Sequence, residues 1–481
     1  MQSIKKNFVY SAILTGANYI FPLLIFPYVS RVLGVDKIGI CNFVDSIVHY
    51  FMIFSMLGIN VVGVREIAKS KNDRNTLNKC FSSIFILNTI FTIIAIIVYI
   101  LCVLYIPKLH NYSDLMWVGA VELAFNLITI EWLFKGLEEF KFITSRTLLI
   151  KILFIISVFA LVKEPSDYKL YFVLCALSLG INALVNCVYA RNYVHLKLRS
   201  LPLNVFCGAI VILGIYSILT NMYTTFNITF LGFVSNDTEV GFYSTAQKVF
   251  VITLSIFTAL TGVMLPRMSS LIGQNKIEEY KSLLDKTANL LFSFSFPLML
   301  FIFFFAKDII NIISGTGYEG AVVPLKIMVP LLFVLGYEQI LVIQGLMPLK
   351  KDRSILVNSV IGATVGLTLN ILIVPRLEST GTAIVWVLSE MSVLIIAQFY
   401  MQKYMGICFP YRKFLLNVLF VVPLSLLDWV ISYLPFNSIV HILSAIAITS
   451  IYVLALHLCF LKNSVVNIML NQLFDKLIIR K

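Results

Sequence analysis

Asn42, Asp45, Ser46 and His49 stand at positions i, i+3, i+4 and i+7 of an apolar run. That spacing gathers an amide, a carboxylate, a hydroxyl and an imidazole on one helix face. Such a face can hydrogen-bond a polyhydroxylated solute, hold a cation or relay a proton. A later apolar run carries a related stripe, Ser244, Gln247 and Lys248. The runs preceding these two are also striped, with Ser11, Thr15, Asn18 and the kink-forming Pro22 in one and Ser217, Thr220, Thr224 and Asn227 in the other. Asn18, Asn42, Asp45, Ser46, His49, Thr220, Thr224, Gln247 and Lys248 are the candidate cavity residues. A charge at mid-bilayer costs about 2.5–3.5 kcal/mol, so these faces should line water or bind helices together rather than meet lipid. Two readings follow for Asp45 and Lys248. They line a cavity, or they form a buried pair that fixes helix register. His49 is either a proton switch or a hydrogen-bonded packing residue.

No constellation for catalysis accompanies the stripes. The chain holds no phosphate-cradling glycine loop, no H-E-x-x-H and no G-x-S-x-G. Its eight cysteines are scattered, mostly in apolar runs, with neither metal spacing nor a disulfide framework. Neither a metal nor a cofactor is expected, and transport fits better than an enzymatic reaction.

The elements that position these residues follow from composition. The 481 residues are 59% hydrophobic and 13% charged, against about 45–50% and 25% in soluble domains. Fourteen apolar segments, near 8–32, 39–62, 81–105, 115–136, 142–162, 169–190, 205–231, 240–263, 287–305, 322–346, 354–374, 381–402, 414–434 and 438–461, are each long enough to cross a bilayer core of about 30 Å. Within that core the backbone must satisfy itself, so an all-α integral membrane protein is expected. The first segment is long and lacks a small-residue cleavage site, so no cleavable signal peptide is expected.

Placing the N-terminus in the cytoplasm puts 27 Lys and Arg on inside segments and 7 outside, with three more within spans. This imbalance sets both termini in the cytoplasm. It also accounts for much of the net charge of +13 without a nucleic-acid partner. Arg65 and Arg267 fall at cytoplasmic span ends, where they suit topology and lipid-phosphate contact. Arg31 falls at the outer mouth, suited to anchoring against headgroups or Asp36, or to receiving a phosphate on exit. Glu131 and Lys151, on neighbouring spans, are expected to pair, and Glu122 and Asn126 share a face. The tail 465–481 has an apolar stripe suited to lying in the membrane interface.

A shift of 202 residues places Gly39 on Gly241, Arg65 on Arg267, Lys79 on Lys281, and the first polar stripes on their later counterparts. Six spans separate the copies, so both run the same way through the membrane. Such a parallel repeat builds two-lobed transporters. The division expected is an N-lobe at 1–200 with spans 1–6 and a C-lobe at 201–404 with spans 7–12. Spans 13 and 14 occupy 405–462, and a cytoplasmic amphipathic tail 463–481.

The stretches PYVSRVLG (27–34), LGINVVGVREIAK (57–69), IEWLFKGLEEFKFIT (130–144) and LNILIVPRLESTGTAIVWVLSE (369–390) resemble the Wzx-type polysaccharide flippases, the O-antigen and capsule repeat-unit translocases of the multidrug/oligosaccharidyl-lipid/polysaccharide (MOP) exporter superfamily. The resemblance implies a V-shaped, MATE-like pair of six-helix lobes plus helices 13 and 14. It implies a bacterial inner-membrane protein that carries an undecaprenyl diphosphate-linked glycan to the outer leaflet. Its partners would be membrane lipids, a proton or sodium as candidate coupling ion, and the glycosyltransferases and glycan polymerase of the pathway. Lys248 would hold a phosphate as a point charge. A multidrug exporter on the same fold and a membrane glycosyltransferase stand as alternatives. The first prefers acidic cavities. The second usually shows a large external loop, whereas the outside loops here are short.

Overall fold

The computed structural model of the protein describes residues 4–197, 203–222, 225–434 and 437–456. Thr224 and the expected tail helix lie outside the described residues. The described chain is helical throughout, without a strand. Eleven of its helices are long and apolar enough to cross a membrane, or twelve if a pair bent by 43°, Glu319–Met328 and Leu331–Leu346, is one span. The protein is therefore a multi-pass membrane protein. The chain divides into two compact units. One comprises residues 1–248, 313–324 and 356–389, and the other 249–312, 325–355 and 390–481.

The first unit opens with α1 (Ile4–Met56). At about 1.5 Å per residue its 53 residues far exceed one crossing. The helix is broken at Gly34, whose φ of 78° is the left-handed region that glycine enters without a Cβ penalty. It is followed by α2 (Ile59–Ser70), α3 (Arg74–Tyr105), α4 (Pro107–His110), α5 (Ser113–Leu127), α6 (Glu131–Gly136), α7 (Phe140–Leu161), α8 (Tyr168–Ala190), α9 (Leu203–Asn221) and α10 (Phe226–Val234). Asp73 caps α3, accepting from the backbone N–H groups of Asn75 and Thr76 at 3.1 Å and from the Thr76 hydroxyl. These bonds to the charged form hold its carboxyl below the usual carboxylate range. The helix α3 shows how an apolar span divides its faces. Ile90, Ile93, Ile97, Leu101 and Leu104 are exposed, as a lipid-facing stripe must be, while Leu87, Ala95, Tyr99 and Val103 are buried. A core of Ile59, Val62, Phe81, Trp132, Phe134 and Ile143 ties α2, α3, α6 and α7 together.

The expected pairing of Glu131 with Lys151 is not what forms. Glu131 instead takes Arg146 at 2.8 Å and Lys135 at 3.2 Å. Arg146 is buried on α7 and also donates to Asn186, which in turn donates to the carbonyl of Thr129. The reason is rotational. Arg146 lies inside α7 on the face that meets Glu131, whereas Lys151 faces Asn18.

The long helices α11 (Asp237–Gly273), α12 (Ile277–Ser314) and α15 (Asp352–Met405) contribute to both units. Within α15 the helix breaks at Glu378, with φ 46° and ψ −125°, a sparsely populated conformation for a residue with a side chain. The second unit adds α13 (Val322–Met328, from Leu325), α14 (Leu331–Gln339), α16 (Tyr411–Ser432) and α17 (Ser438–Leu456). Stacked and edge-on rings of Phe292, Phe296, Phe333, Tyr337, Phe409 and Phe414 form its core. After α14 the chain widens into a π-helical turn, Ile340–Leu346. The Tyr280 hydroxyl lies 3.2 and 3.3 Å from the Gln344 and Gly345 carbonyls there.

Candidate functional site

The 202-residue repeat read from the sequence appears as physical contact within the first unit. Asn42 Nδ2 donates to Ser244 Oγ at 3.0 Å, and Thr238 Oγ1 donates to Asp36 Oδ1 at 2.5 Å. Both pairs are exactly one repeat apart. The glycines show the same relation reciprocally. A methyl group on Gly39 would overlap the Asp237 carbonyl, and one on Gly241 would overlap the Val35 carbonyl. Each contact is the other moved by one repeat, which is the signature of a local pseudo-twofold. Glycine is required at both positions because backbone meets backbone. Thr229 donates to Ser46 at 2.9 Å in the same zone. Around it, Ser235 donates to Glu378 at 2.8 Å, Ser379 donates from its backbone and hydroxyl to Glu239, and the Tyr318 hydroxyl donates to the Ser30 carbonyl at 3.0 Å.

The polar stripe on α1 therefore splits. Asn42 and Ser46 are spent holding α1 against α11 and α10. Asp45 and His49, one position around the helix, are exposed, as is Asn18, while Gln247 and Lys248 are half-buried. Asp45 lies in the field of both His49 and Lys248. Among the described residues Asp45 and Lys248 form no ion pair, and the ammonium of Lys248 sits 4.5 Å from the centroid of the Phe26 ring. A polar, charged surface thus remains uncovered within membrane-spanning helices. Water or a polar solute must meet it.

Next to this surface lies a cavity of ≈ 280 Å³, walled by Phe21, Phe26, Phe154 and Tyr171 and holding both Lys151 and Lys248. Lys151 donates to Asn18 Oδ1 at 2.7 Å and lies 5.5 Å from the Phe21 ring centroid. Sequence reasoning missed this juxtaposition because it assigned Lys151 to Glu131. The proximity of Asn18 and Lys151 on different helices leaves no signal in spacing. Glu122 is buried on α5, and its neighbour on that face, Asn126, donates to Ser55 at 3.2 Å.

The remaining candidates lie elsewhere. Thr220 donates to the Tyr216 carbonyl one turn back. Arg31 donates to the Pro27 carbonyl at 2.7 Å, and its stem passes 3.0 Å from where a Cβ on Gly315 would stand. The expected partner Asp36 receives Thr238. Arg65 is exposed and pairs with Glu66 at 2.7 Å, and Arg267 is exposed on α11. No group of three or more metal-ligating side chains occurs among the described residues.

Comparison with known proteins agrees with this arrangement. The profile of the family described as "Polysaccharide biosynthesis protein" matches residues 4–272, more than half of the chain, and that of the MatE family matches residues 213–372. A relative named as a putative O-antigen transporter, from Escherichia coli (strain K12), is 28% identical over 71% of this chain and 83% of its own. Among solved structures, lipid II flippase MurJ in an inward closed conformation superposes with a TM-score of 0.79 at 12% identity, covering 94% of this chain and 99% of that one. An inward-facing multidrug resistance MATE family transporter of the MOP superfamily gives 0.61 at 14% identity, over 83% and 98%. These two show the shared fold.

Proposed function

The chain belongs to the polysaccharide biosynthesis protein family, and from that premise we propose that it moves a polyprenyl diphosphate-linked oligosaccharide from the cytoplasmic to the outer leaflet by alternating access. It is a Wzx-type flippase of the MOP superfamily, a transporter rather than an enzyme. The observation that carries the finer reading is the uncovered polar surface of Asn18, Asp45, His49, Gln247 and Lys248 inside apolar helices. Each unpaired sugar hydroxyl costs about 4–8 kcal/mol to enter an apolar medium, and such a surface replaces the lost hydrogen bonds with water. A lipid tail need never leave the bilayer while the head passes.

The architecture proposed is fourteen crossings. Reading Val9–Ser70 and Asp352–Met405 as two crossings each, and the bent pair as one, brings the eleven spans to that number. Two parallel lobes, 1–200 and 201–404, would be followed by helices at 405–462. Both termini would be cytoplasmic in a bacterial inner membrane, by the distribution of Lys and Arg. In that orientation the Gly39–Gly241 crossing is on the outer side, and its hydrogen bonds hold the exit shut. A proton or sodium ion is the candidate coupling ion, and the glycosyltransferases and polymerase of the glycan pathway are candidate partners.

The test is deletion of the gene, followed by measurement of which leaflet holds the lipid-linked repeat units. Accumulation on the cytoplasmic leaflet is expected, and an unchanged distribution would sink the proposal. Complementation with Lys248→Ala should give normal protein levels and reduced translocation.

A further inference from the structure

The helices α12, α16 and α17 of the second unit carry Asp308, Asp428 and His441, which take no part in the polar surface described above. His441 is buried near the start of α17. Its Nε2 lies 2.8 Å from the Leu434 carbonyl oxygen, and its Nδ1 lies 3.3 Å from a carboxylate oxygen of Asp308. A neutral imidazole has one N–H and one lone pair, so either tautomer would set a lone pair against an oxygen. A second proton makes both contacts attractive. His441 and Asp308 together therefore hold one proton more than a neutral ring and an ionised carboxylate. Asp308 follows a break in α12 at Phe305 (φ −99°, ψ 16°), whose ring centroid is 6.2 Å from that of His441. Lys307, next to Asp308, is exposed. Asp428 is buried on α16, and neither of its carboxylate oxygens has a hydrogen-bond partner among the described residues. The other titratable group of α17, Tyr452, lies toward the far end and donates to the Phe420 carbonyl.

This contact secures a weakly embedded helix. Only 11% of the α17 span is buried, the lowest share among the eleven spans. Past the contact, α12 and α17 part around an apolar cavity of ≈ 740 Å³, with Phe294, Leu298 and Phe301 on one wall and Ile446, Ser450 and Val453 on the other. His441 and Asp308 thus join the two helices just beyond the cavity, beside a break in α12 that can absorb a change of direction. We propose that His441 and Asp308 form a proton-operated latch: the bound proton ties α17 to α12, and its loss frees α17 to swing away and widen the cavity. Histidine ordinarily changes charge between about pH 5 and 8. The tie holds at the acid end and is lost as pH rises, because a ring lone pair then faces an oxygen. In the orientation proposed above, both residues stand at the outer ends of their spans, so the proton arrives from outside. That source rests on the orientation, and the latch does not depend on which substrate is carried.

The test measures the distance between spin labels at Phe303→Cys and Leu443→Cys, both exposed positions, in full-length protein without its native cysteines. In lipid nanodiscs a short distance should dominate at about pH 5 and a longer one at about pH 8. The ratio of the two should change by up to about tenfold per pH unit, as one linked proton requires. An identical distribution at both pH values would overturn the latch, and this comparison leaves the latch residues intact. His441→Gln and Asp308→Asn should show the longer distance throughout. His441→Arg keeps its donors at every pH and should show the short distance throughout. A pH response that persists in His441→Gln, or disappears in Asp428→Asn, would place the proton elsewhere and overturn the assignment. In sealed right-side-out vesicles, acid outside alone should give the short distance. A response to inside acid alone would overturn the outer source of the proton, and the orientation with it. The readout is a position, so a failure of glycan translocation would refute the flippase reading and not the latch.

Discussion

Lys248 and Ser46 occupy matching positions in the two repeats, yet one opens to a cavity and the other is locked in a helix contact. Position within a stripe did not decide this. A rotation of one residue separates Ser46 from Asp45, and only packing partners reveal which of the two is covered. The same limit governed Arg146. Its charge was legible and its burial was not, because a cation near a helix start reads as a loop residue until its neighbours Glu131 and Asn186 are known. Removing one partner of a buried pair strands the other charge, at a cost of about 3–5 kcal/mol. Glu131 keeps Lys135 at 3.2 Å, so Arg146→Ala should fall near the lower end of that range. A thermal unfolding midpoint in detergent checks this. The double variant Glu131→Gln/Arg146→Met should be less destabilised than the sum of its two single changes. An Arg146→Ala protein that melts like the parent would remove the network from the account of stability.

At the scale of elements, the breaks were largely readable. Gly34 falls in the gap expected between the first two spans, and Glu378 in the gap at 375–380. The repeat was readable too, because glycines and polar residues coincided at one offset. What the offset could not supply is that the matched turns touch each other. The π-helical turn at Ile340–Leu346 leaves no comparable mark, since its residues suit an ordinary apolar helix. The crossing of α1 and α11 gives a direct test of alternating access. Asn42→Cys with Ser244→Cys places two thiols where a 3.0 Å hydrogen bond now stands. Oxidation should join them and stop translocation, and reduction should restore it. Full transport by the cross-linked protein would exclude opening at this crossing.

At the scale of the whole molecule, length and composition made a multi-pass helical membrane protein legible, and charge placement gave an orientation. Orientation is testable in a background lacking the eight native cysteines. A membrane-impermeant maleimide should label Glu164→Cys in intact cells, and Lys197→Cys only once the membrane is opened. The opposite pattern would invert the topology and move the Gly39–Gly241 crossing to the cytoplasmic side.

The pairing of Asp36 with Thr238 has a consequence for symmetry. Had the two repeats been identical chains in a symmetric dimer, the residue at this turn would have faced its own copy across the axis. An aspartate there would have set two carboxylates against each other, and a threonine would have offered no charge at all. Joining the copies in one chain releases that constraint, since each half can mutate alone. Acceptor and donor can then be divided between them, as they are here at 2.5 Å. The same freedom lets Lys248 arise without a second lysine at Ser46. One chain can thus hold what a symmetric dimer could not, a helix crossing whose two sides differ in charge.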